Sequence, residues 1–193
     1  MKEVVKYAPK GEALDIGAGE GRNSLFLAEQ GFKVTAIDII PEGLIKLKEL
    51  AKKLHLKVTT KVKDVRKFEF LPEKYSLIIS IAAIDFLKKS EIEKLVKKIK
   101  KSLIRKGIVY FSVFSIKDPF FKKLKKFQFS EIEPNTFYLP KPNLYRHFFT
   151  TKEISGYFKD FQTIFLKERK IKDTSHDKPH FHWIIDFVGR KIK

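Results

Sequence analysis

The sequence contains no cysteine, which excludes disulfide bonds and metal sites built from thiolate ligands. It also contains no apolar run that approaches the roughly 20 residues needed to cross a bilayer. The first ten residues carry too much charge for a secretory signal peptide. We therefore expect a cytoplasmic protein with no membrane partner.

Acidic residues are also scarce, since 23 Asp and Glu stand against 41 Lys and Arg, a net charge of +18. The field of such a basic protein attracts nucleic acid, acidic membranes or anionic substrates. A lysine-rich composition is also typical of a thermophile, but there glutamate rises together with lysine. Thermophily therefore explains only part of the excess of basic over acidic residues, and nucleic acid stays open as a partner.

The length of 193 residues suits one domain that buries roughly 70% of the surface exposed by its unfolded chain. It is short for a nucleotide-binding domain joined to a separate catalytic domain. We therefore treat residues 1–193 as one domain, which argues against a two-domain dehydrogenase. The oligomeric state does not follow from the sequence.

The most informative stretch is residues 12–21, with the sequence EALDIGAGEG. An apolar run leads into Gly17, Gly19 and Gly21, and a helical pattern follows them. Strand, glycine turn and helix in this order are typical of the opening of a nucleotide-binding α/β unit. A chance glycine turn in another α/β protein is the alternative interpretation.

The spacing of the glycines indicates which ligand the turn would hold. A dinucleotide fingerprint is Gly-x-Gly-x-x-Gly, whereas this chain has Gly-x-Gly-x-Gly, with Asp15 two residues before the first glycine. A carboxylate there would repel a pyrophosphate and attract an ammonium group. The pattern Asp-x-Gly-x-Gly-x-Gly resembles the first motif of the class I S-adenosylmethionine (SAM)-dependent methyltransferases, whose cofactor carries an amino acid.

Strand and helix patterns alternate along the first 114 residues and predict an α/β fold, a single-domain, Rossmann-like, doubly wound sheet. After residue 160 two strand patterns joined by a polar loop at 171–180 predict a C-terminal antiparallel hairpin on the otherwise mostly parallel sheet. A capping box is predicted at Ser90 and Glu93, and another at Thr150 and Glu153. The predicted strands are 12–16, 32–37, 56–62, 75–81, 108–114, 161–170 and 181–189.

Polar residues fall at the predicted carboxyl ends of these strands, where open α/β sheets bind their ligands. Asp38 ends the second strand, where an acid can accept hydrogen bonds from ribose hydroxyls, although it could also be a helix-start acid before Pro41. Asp64 follows the third strand and could also be a simple turn acid. The predicted cofactor-binding residues are Asp15, Gly17, Ala18, Gly19, Asp38, Ile39, Asp64, Val65, Ser80 and Ile81.

Residues 117–146 are rich in aromatic residues, lysine and proline, and we expect a helix from about 118 to 127 followed by an irregular segment. Such a long connection in a compact domain is commonly functional, so we interpret it as a lid over a substrate site. Interleaved basic and aromatic residues could instead clamp single-stranded nucleic acid. A structural insertion at the edge of the domain is the third interpretation.

Histidine and arginine supply the candidate substrate-side groups. His176, His180 and His182 cluster near the last strand, His147 follows the predicted lid, and Arg22, Arg146 and Arg169 could hold an anionic acceptor. We name Arg22, His147 and His180 as the candidate catalytic residues. Three nearby histidines could bind a metal, but no carboxylate falls at a convincing spacing from them, so we predict no metal site. Plain surface or core histidines are the alternative to a substrate-side role.

The whole pattern resembles one branch of that superfamily, the tellurite-resistance-type SAM methyltransferases. The resemblance is carried by LDIGAGEGRNSLFLAEQGFKVTAIDI, by YSLIISIAAIDFL, by FTTKEISGYF and by the histidine-rich stretch before the last strand. It implies SAM held by Asp15, Gly17, Gly19, Asp38 and Asp64, a small acceptor, and Arg22 near the active crevice. Ala18 stands where many relatives carry cysteine, and the segment 117–146 is longer and more aromatic than in the bacterial members.

The main functional hypothesis is therefore a SAM-dependent methyltransferase that transfers a methyl group to a small acceptor by direct displacement. The high positive charge leaves RNA open as the acceptor. A non-catalytic module that binds SAM or a nucleotide is an alternative of another class. A Rossmann oxidoreductase is opposed by the glycine spacing, by Asp15 and by the chain length.

Overall fold

A computed structural model of the chain describes residues 1–174 and 179–193. His176 of the predicted histidine cluster lies outside these described residues. The helices are α1 (Val4–Tyr7), α2 (Arg22–Glu29), α3 (Pro41–Lys53), α4 (Lys89–Ser102), α5 (Pro119–Lys126) and α6 (Thr151–Tyr157). The strands are β1 (Glu12–Ile16), β2 (Lys33–Asp38), β3 (Val58–Val62), β4 (Tyr75–Ile81), β5 (Leu103–Phe114), β6 (Glu131–Glu133), β7 (Thr136–Leu139), β8 (Leu144–His147), β9 (Phe161–Asp173) and β10 (His180–Lys191).

Seven strands form the central sheet, in the order β3-β2-β1-β4-β5-β10-β9. The first five are parallel to one another, whereas β10 is antiparallel to both β5 and β9. The chain order reverses between β1 and β4, so a crevice opens there beyond the carboxyl ends of the strands. The predicted doubly wound sheet with a C-terminal hairpin is confirmed.

The central strands are buried on both faces, which explains their near-continuous apolar sequence. In β4 the residues from Tyr75 to Ser80 are all buried. Helix α4 turns Ile92, Leu95, Val96 and Ile99 onto one face of this sheet, and α1 and α2 cover the other face. The two apolar layers hold the strand ends in fixed positions, so the loops at those ends share one rigid base.

The starts of α4 and α6 test the two capping boxes that the sequence predicts. The capping box predicted at Ser90 and Glu93 is wrong, because α4 begins at Lys89 and Glu91 Oε2 accepts the Lys88 N–H at 3.0 Å. The N–H of Ser90 instead donates to Glu133 Oε2 at 2.9 Å, and its hydroxyl donates to Oε1 at 2.7 Å. One half of the box predicted at Thr150 is confirmed, since its hydroxyl oxygen accepts the Glu153 N–H at 3.0 Å, while Glu153 Oε1 accepts the Tyr157 hydroxyl at 2.6 Å.

Residues 117–146 are more regular than their composition predicts. After α5 the chain forms a three-stranded antiparallel sheet in the order β6-β7-β8, so the prediction of an irregular segment is wrong. The sheet has a small apolar core of its own, formed by Leu124, Phe137, Leu139 and Phe148. Many of the aromatic residues in this segment are therefore needed for packing.

No helix of residues 1–174 and 179–193 combines the length and the apolarity that a bilayer crossing needs.

Candidate functional site

The glycine turn after β1 is fastened to the neighbouring strand. The backbone N–H groups of Gly17 and Ala18 both donate to the carbonyl of Ile37, at 2.8 and 3.0 Å. Gly21 N–H donates to the carbonyl of Ala18 at 2.9 Å and closes the turn before α2 begins. The turn is thus held at the carboxyl end of β1, beside the end of β2.

Two glycines let other parts of the chain approach this turn. Gly17 has a φ of +72°, and a Cβ built on it would lie 2.2 Å from the Cβ of Ala83. Gly43 in α3 would place a Cβ 2.6 Å from the carbonyl carbon and oxygen of Gly19. Both distances are far below van der Waals contact, so only glycine fits at these positions. Sequence analysis missed Gly43, because its neighbour lies on a distant part of the chain.

Asp38 holds the turn from the end of β2. Its Oδ2 accepts the Gly19 N–H at 2.8 Å, and its Oδ1 accepts the Ile40 N–H at 2.9 Å. A carboxylate has about four acceptor positions, so both oxygens can still accept a hydroxyl. Asp38 therefore shapes the turn and also offers its carboxylate to the cavity that it lines.

Asp15 lies beneath the turn, with only 2% of its surface exposed. The Ser24 hydroxyl donates to its Oδ2 at 2.7 Å. Burial raises the pKa of Asp15 to about 6, although the hydrogen bond from Ser24 opposes the rise. Asp15 has no cationic partner among the described residues, and a positive charge near it would recover part of the cost of burying a carboxylate. The structure thus favours a cation near the glycine turn.

A cavity of about 500 Å³ opens beside the turn. That volume lies within the usual range for small-molecule sites. Ile39 and Ile40 are 63% and 59% exposed at its edge, although both are large and apolar. A flat apolar ligand would cover them. The lining residues are Ile16, Gly17, Ile37, Asp38, Ile39, Ile40, Lys63, Asp64, Val65, Arg66, Ala82, Ala83, Ile84, Phe86, Leu87 and Leu144.

Asp64 lines this cavity together with Val65. Its carboxylate is already paired, since Arg66 Nη2 donates to Oδ2 at 2.5 Å and the Arg66 backbone N–H donates to Oδ1 at 2.9 Å. The hydrogen bonds from the Arg66 side chain hold the pKa of Asp64 below its usual value. Asp64 is therefore an ionised acceptor at the cavity wall.

Five of the predicted cofactor residues are absent from the described cavity lining, namely Asp15, Ala18, Gly19, Ser80 and Ile81. Ser80 and Ile81 belong to β4, and the wall is formed by the residues that follow them, Ala82 to Ile84. Ser80 is fully buried, and its hydroxyl has no hydrogen-bond partner among the described residues. Sequence analysis therefore named the strand that leads into this wall, and the cofactor contacts of Ser80 and Ile81 stay a prediction.

A cationic group packs against Phe86, one of the residues that line the cavity, although Arg146 is not itself part of the described lining. The guanidinium carbon of Arg146 lies 4.1 Å from the ring centre of Phe86 and 5.0 Å from that of Phe114. Its Nε is buried and has no hydrogen-bond partner within the part of the chain that the structure describes. Phe86 lines the cavity, so Arg146 has a free donor close to that wall.

Asp85 accompanies this cation and is fully buried. Its Oδ1 accepts the Phe114 N–H at 2.7 Å, and its Oδ2 is unpaired among the described residues. Burial raises the pKa of Asp85 to about 6, although the Phe114 N–H and Arg146 oppose the rise. Sequence analysis named Arg146 as a residue that could hold an anionic acceptor but missed its proximity to Asp85, because the two residues are 61 positions apart in the chain.

The three predicted catalytic residues are not brought together. Arg22 is exposed at the first position of α2. His147 is fully buried, with Nδ1 2.8 Å from Thr136 Oγ1 and Nε2 3.2 Å from Glu153 Oε1. His180 lies at the hairpin end, with its Nε2 2.9 Å from His182 Nε2. None of the three belongs to the cavity lining as the described residues define it.

A second concavity, of about 490 Å³, lies near Tyr7 and the carboxyl end of β10. It contains four cationic side chains and no carboxylate among its described lining. A group with an ammonium or a sulfonium would find no counter-charge there, so we regard the cavity at the glycine turn as the candidate site. The lining of the second concavity is Tyr7, Pro9, Arg105, Lys106, Gln162, Arg190, Lys191 and Ile192.

Comparison with known families and sequences gives a consistent result. The family model described as tellurite resistance protein TehB matches residues 1–144. A protein of Haemophilus influenzae named probable S-adenosyl-L-methionine-dependent methyltransferase TehB is 29% identical over 99 residues. That match covers 51% of this chain and 34% of the relative, so the chain spans about a third of the relative's length.

Solved structures share the fold over the whole chain. A SAM-dependent methyltransferase of Methanosarcina mazei has a TM-score of 0.80 at 21% identity, with 100% of this chain and 98% of that chain covered. The TehB structure from Haemophilus influenzae has a TM-score of 0.76 at 22% identity, with 99% of this chain and 62% of that chain covered. At these identities the similarity shows the fold alone.

Proposed function

The chain belongs to the family of tellurite resistance protein TehB, and on that premise we propose that it is a SAM-dependent methyltransferase acting on a small acceptor. The observation that carries the proposal is the cavity where Asp38 and the glycine turn meet at the carboxyl ends of the parallel strands. The relatives named as SAM-dependent methyltransferases support the same activity.

The residues around the cavity suit each part of the cofactor. Asp38 would accept hydrogen bonds from the ribose hydroxyls, as acids at the end of a second strand do in related sheets. Ile39 and Ile40 would cover an adenine ring, and Asp64 would accept from its amino group. Asp15 would supply the negative charge opposite the ammonium group. The open space beside Gly19, where an added Cβ would meet no atom within 4 Å, leaves room for the ligand.

When bound, SAM supplies a methyl group on a positively charged sulfur, which a nucleophile can displace directly. The role of the protein is then to align the nucleophile, exclude water and balance the change in charge. A soft nucleophile needs no general base, whereas an oxygen or nitrogen acceptor would need one. The segment 117–146 contributes Leu144 to the cavity wall and would act as the lid that excludes water.

The main experiment separates the possible acceptors. Calorimetry with S-adenosylhomocysteine measures cofactor binding, and methyl-labelled SAM is then supplied with a panel of small anionic and soft nucleophiles or with RNA. We expect micromolar cofactor binding and label in a small product. Label in RNA would instead support the RNA alternative, which the exposed Phe127 and Phe129 near the α5 lysines favour. Binding with no turnover on any acceptor would favour a non-catalytic module.

Arg146 would select an anionic acceptor. The guanidinium is held between Phe86 and Phe114 and keeps its Nε free among the described residues. Replacing it with Gln removes a charged hydrogen bond worth about 1.5–3 kcal/mol, so we expect kcat/KM for an anionic acceptor to fall at least about tenfold. Affinity for S-adenosylhomocysteine should stay within about twofold.

Arg105→Gln is the matched control for Arg146→Gln. Arg105 is exposed, and its replacement removes the same charge from the protein. We expect its kinetics to equal those of the unchanged protein. Equal losses in both variants would mean that total charge, and not the local guanidinium, attracts the acceptor.

The raised pKa of Asp15 predicts how cofactor affinity depends on pH. Below pH 6 the carboxyl group is mostly protonated and cannot balance an ammonium, whereas above pH 6 it is ionised. Affinity for SAM should therefore rise between pH 5 and pH 7, and cofactor binding should release a proton in that window. Calorimetry in buffers of different ionisation enthalpy measures both quantities.

Asp15→Asn should flatten that pH profile, because the amide can still bond with Ser24 but does not titrate. Asp85→Asn is the control, since Asp85 has a similarly raised pKa but contacts the Phe114 N–H and not the glycine turn. The profile should persist in that variant. An unchanged slope in Asp15→Asn would show that another group causes the dependence.

A further inference from the structure

We propose that Asp173, His180 and His182, at the end of the β9–β10 hairpin where the chain passes from β9 to β10, bind a divalent metal ion of the zinc class. Asp173 lies directly opposite His180 in the strand register, and His182 is two residues further along β10. Since alternate residues of a strand share a face, both imidazoles and the carboxylate meet on one side of the hairpin. One ligand atom of each residue lies within 4.8 Å of the other two.

The spacing of the ligand atoms fits a small ion. His180 Nε2 lies 2.9 Å from His182 Nε2, and Asp173 Oδ2 lies 3.7 Å from His182 Nε2 and 3.9 Å from His180 Nε2. Ligands at about 2.0–2.1 Å in a tetrahedral zinc site are about 3.3 Å apart. Each observed distance differs from that value by roughly half an ångström, which small side-chain rotations can supply.

A buried carboxylate orients one of the imidazoles. Asp118 is 1% exposed, and its Oδ2 lies 2.8 Å from His182 Nδ1. The same oxygen accepts the Trp183 N–H at 3.0 Å, while Oδ1 accepts the Phe120 N–H at 2.8 Å. An acceptor at this place keeps the proton on His182 Nδ1 and turns the lone pair of Nε2 toward His180 and Asp173. In metal sites a carboxylate commonly accepts a hydrogen bond from a histidine that binds the metal through its other ring nitrogen.

The contact between the two imidazoles shows that their Nε2 atoms converge on one point, where either a proton or a metal ion can lie. Two Nε2 atoms that face each other at 2.9 Å repel unless a proton or a metal ion lies between their lone pairs. A third donor atom from Asp173 converges on the same place and adds negative charge. A single proton would be shared by two nitrogens, whereas a divalent ion can bind all three groups.

The ligand set also limits which ion would bind. Two imidazoles and one carboxylate suit zinc and also cobalt or nickel, and the chain has no cysteine to compete. The side chains of His182, Asp173 and His180 are 19%, 25% and 42% exposed, so an ion can reach them from solvent. The three ligands found among the described residues leave one further position of a tetrahedral site.

The ion would connect two parts of the fold. Asp118 caps α5, where the segment 117–146 begins, and His182 stands between Asp118 and the proposed ion. Sequence analysis considered the histidines as metal ligands but predicted no metal site, because the carboxylate reaches them from the opposite strand. Metal binding should therefore stabilise the folded chain, and an ion at about 100 times its Kd should raise Tm by at least about 5 °C.

The test uses the full chain without a histidine tag, stripped of metal with a chelator. Calorimetry with zinc sulfate should give one ion per chain with a micromolar or lower Kd, and cobalt should give the visible spectrum of a tetrahedral complex. His182→Gln should weaken binding at least about a hundredfold. Asp118→Asn should weaken it about tenfold, because it loses the group that orients His182.

His55→Asn is the matched control, since His55 is exposed on a distant turn with a φ of 53° that asparagine tolerates. It should bind zinc like the unchanged chain. Circular dichroism of the metal-free variants distinguishes a lost site from a lost fold. Binding that persists in His182→Gln, or zinc binding by the unchanged chain at millimolar Kd only, would overturn the proposal.

Discussion

Gly17→Ala should reduce the affinity for S-adenosylhomocysteine at least about a hundredfold. The new Cβ would lie 2.2 Å from the Cβ of Ala83, and the backbone at a φ of +72° disfavours any side chain by about 1–2 kcal/mol. The turn must move to relieve the contact, and with it the Gly17 and Ala18 N–H groups that bond to Ile37. Calorimetry measures the loss of ligand affinity, and thermal melting measures the loss of stability.

Two further variants separate the clash from the backbone strain. Gly31→Ala has a φ of +88° but would meet no atom within 4 Å, so it should lower stability by about 1–2 kcal/mol and leave ligand affinity unchanged. In the double variant Gly17→Ala with Ala83→Gly the clashing methyl group is absent, so we expect part of the affinity to return. Affinity within threefold of the unchanged chain in Gly17→Ala would mean that this turn does not hold the cofactor.

The fold could be predicted wherever a short stretch of sequence is enough to specify an element. The strands Glu12–Ile16 and Tyr75–Ile81 were predicted at their observed bounds, because the first is a mainly apolar run ended by Gly17 and the second is a nearly continuous apolar run that begins after Lys74. The turn at Gly17 follows from local backbone geometry, and the doubly wound order follows from alternating strands and helices. These features depend on neighbours in the chain.

Features that depend on distant neighbours could not be predicted. Ser90 has the composition of a cap, but Glu133 reaches it from β6, and Glu91 serves the helix start instead. The sheet of β6, β7 and β8 was missed because its strands are only three or four residues long, which gives little periodicity. Gly43 is needed because α3 packs against Gly19, a contact that no spacing in the sequence encodes.

In the candidate site, too, some residues could be predicted from the local sequence and others could not. The acids at the strand ends, Asp38 and Asp64, follow from the rule that ligands bind at the carboxyl ends of parallel strands, and both line the cavity. The substrate-side residues do not follow from any such rule. Both ring nitrogens of the buried His147 already contact Thr136 and Glu153. Arg146, one residue earlier, instead packs against Phe86 of the cavity wall.

Asp38→Ala should weaken binding of S-adenosylhomocysteine by about tenfold to a hundredfold. The variant removes the acceptor for the N–H groups of Gly19 and Ile40 and also the proposed acceptor for ribose hydroxyls. A hydrogen bond to a charged group contributes about 1.5–3 kcal/mol, and one such bond accounts for the expected loss. Glu42→Ala is the matched control, because Glu42 is an exposed acid in the first turn of α3.

A comparison of two ligands separates the ribose contact from the shape of the turn. In the unchanged chain 5′-methylthioadenosine should bind more tightly than its 2′-deoxy form, because Asp38 accepts the hydroxyl that the second ligand lacks. In Asp38→Ala the two ligands should bind almost equally, so the thermodynamic cycle gives the coupling between Asp38 and that hydroxyl. If the difference between the ligands survives in the variant, Asp38 acts on the glycine turn alone, and the proposed ribose contact is wrong.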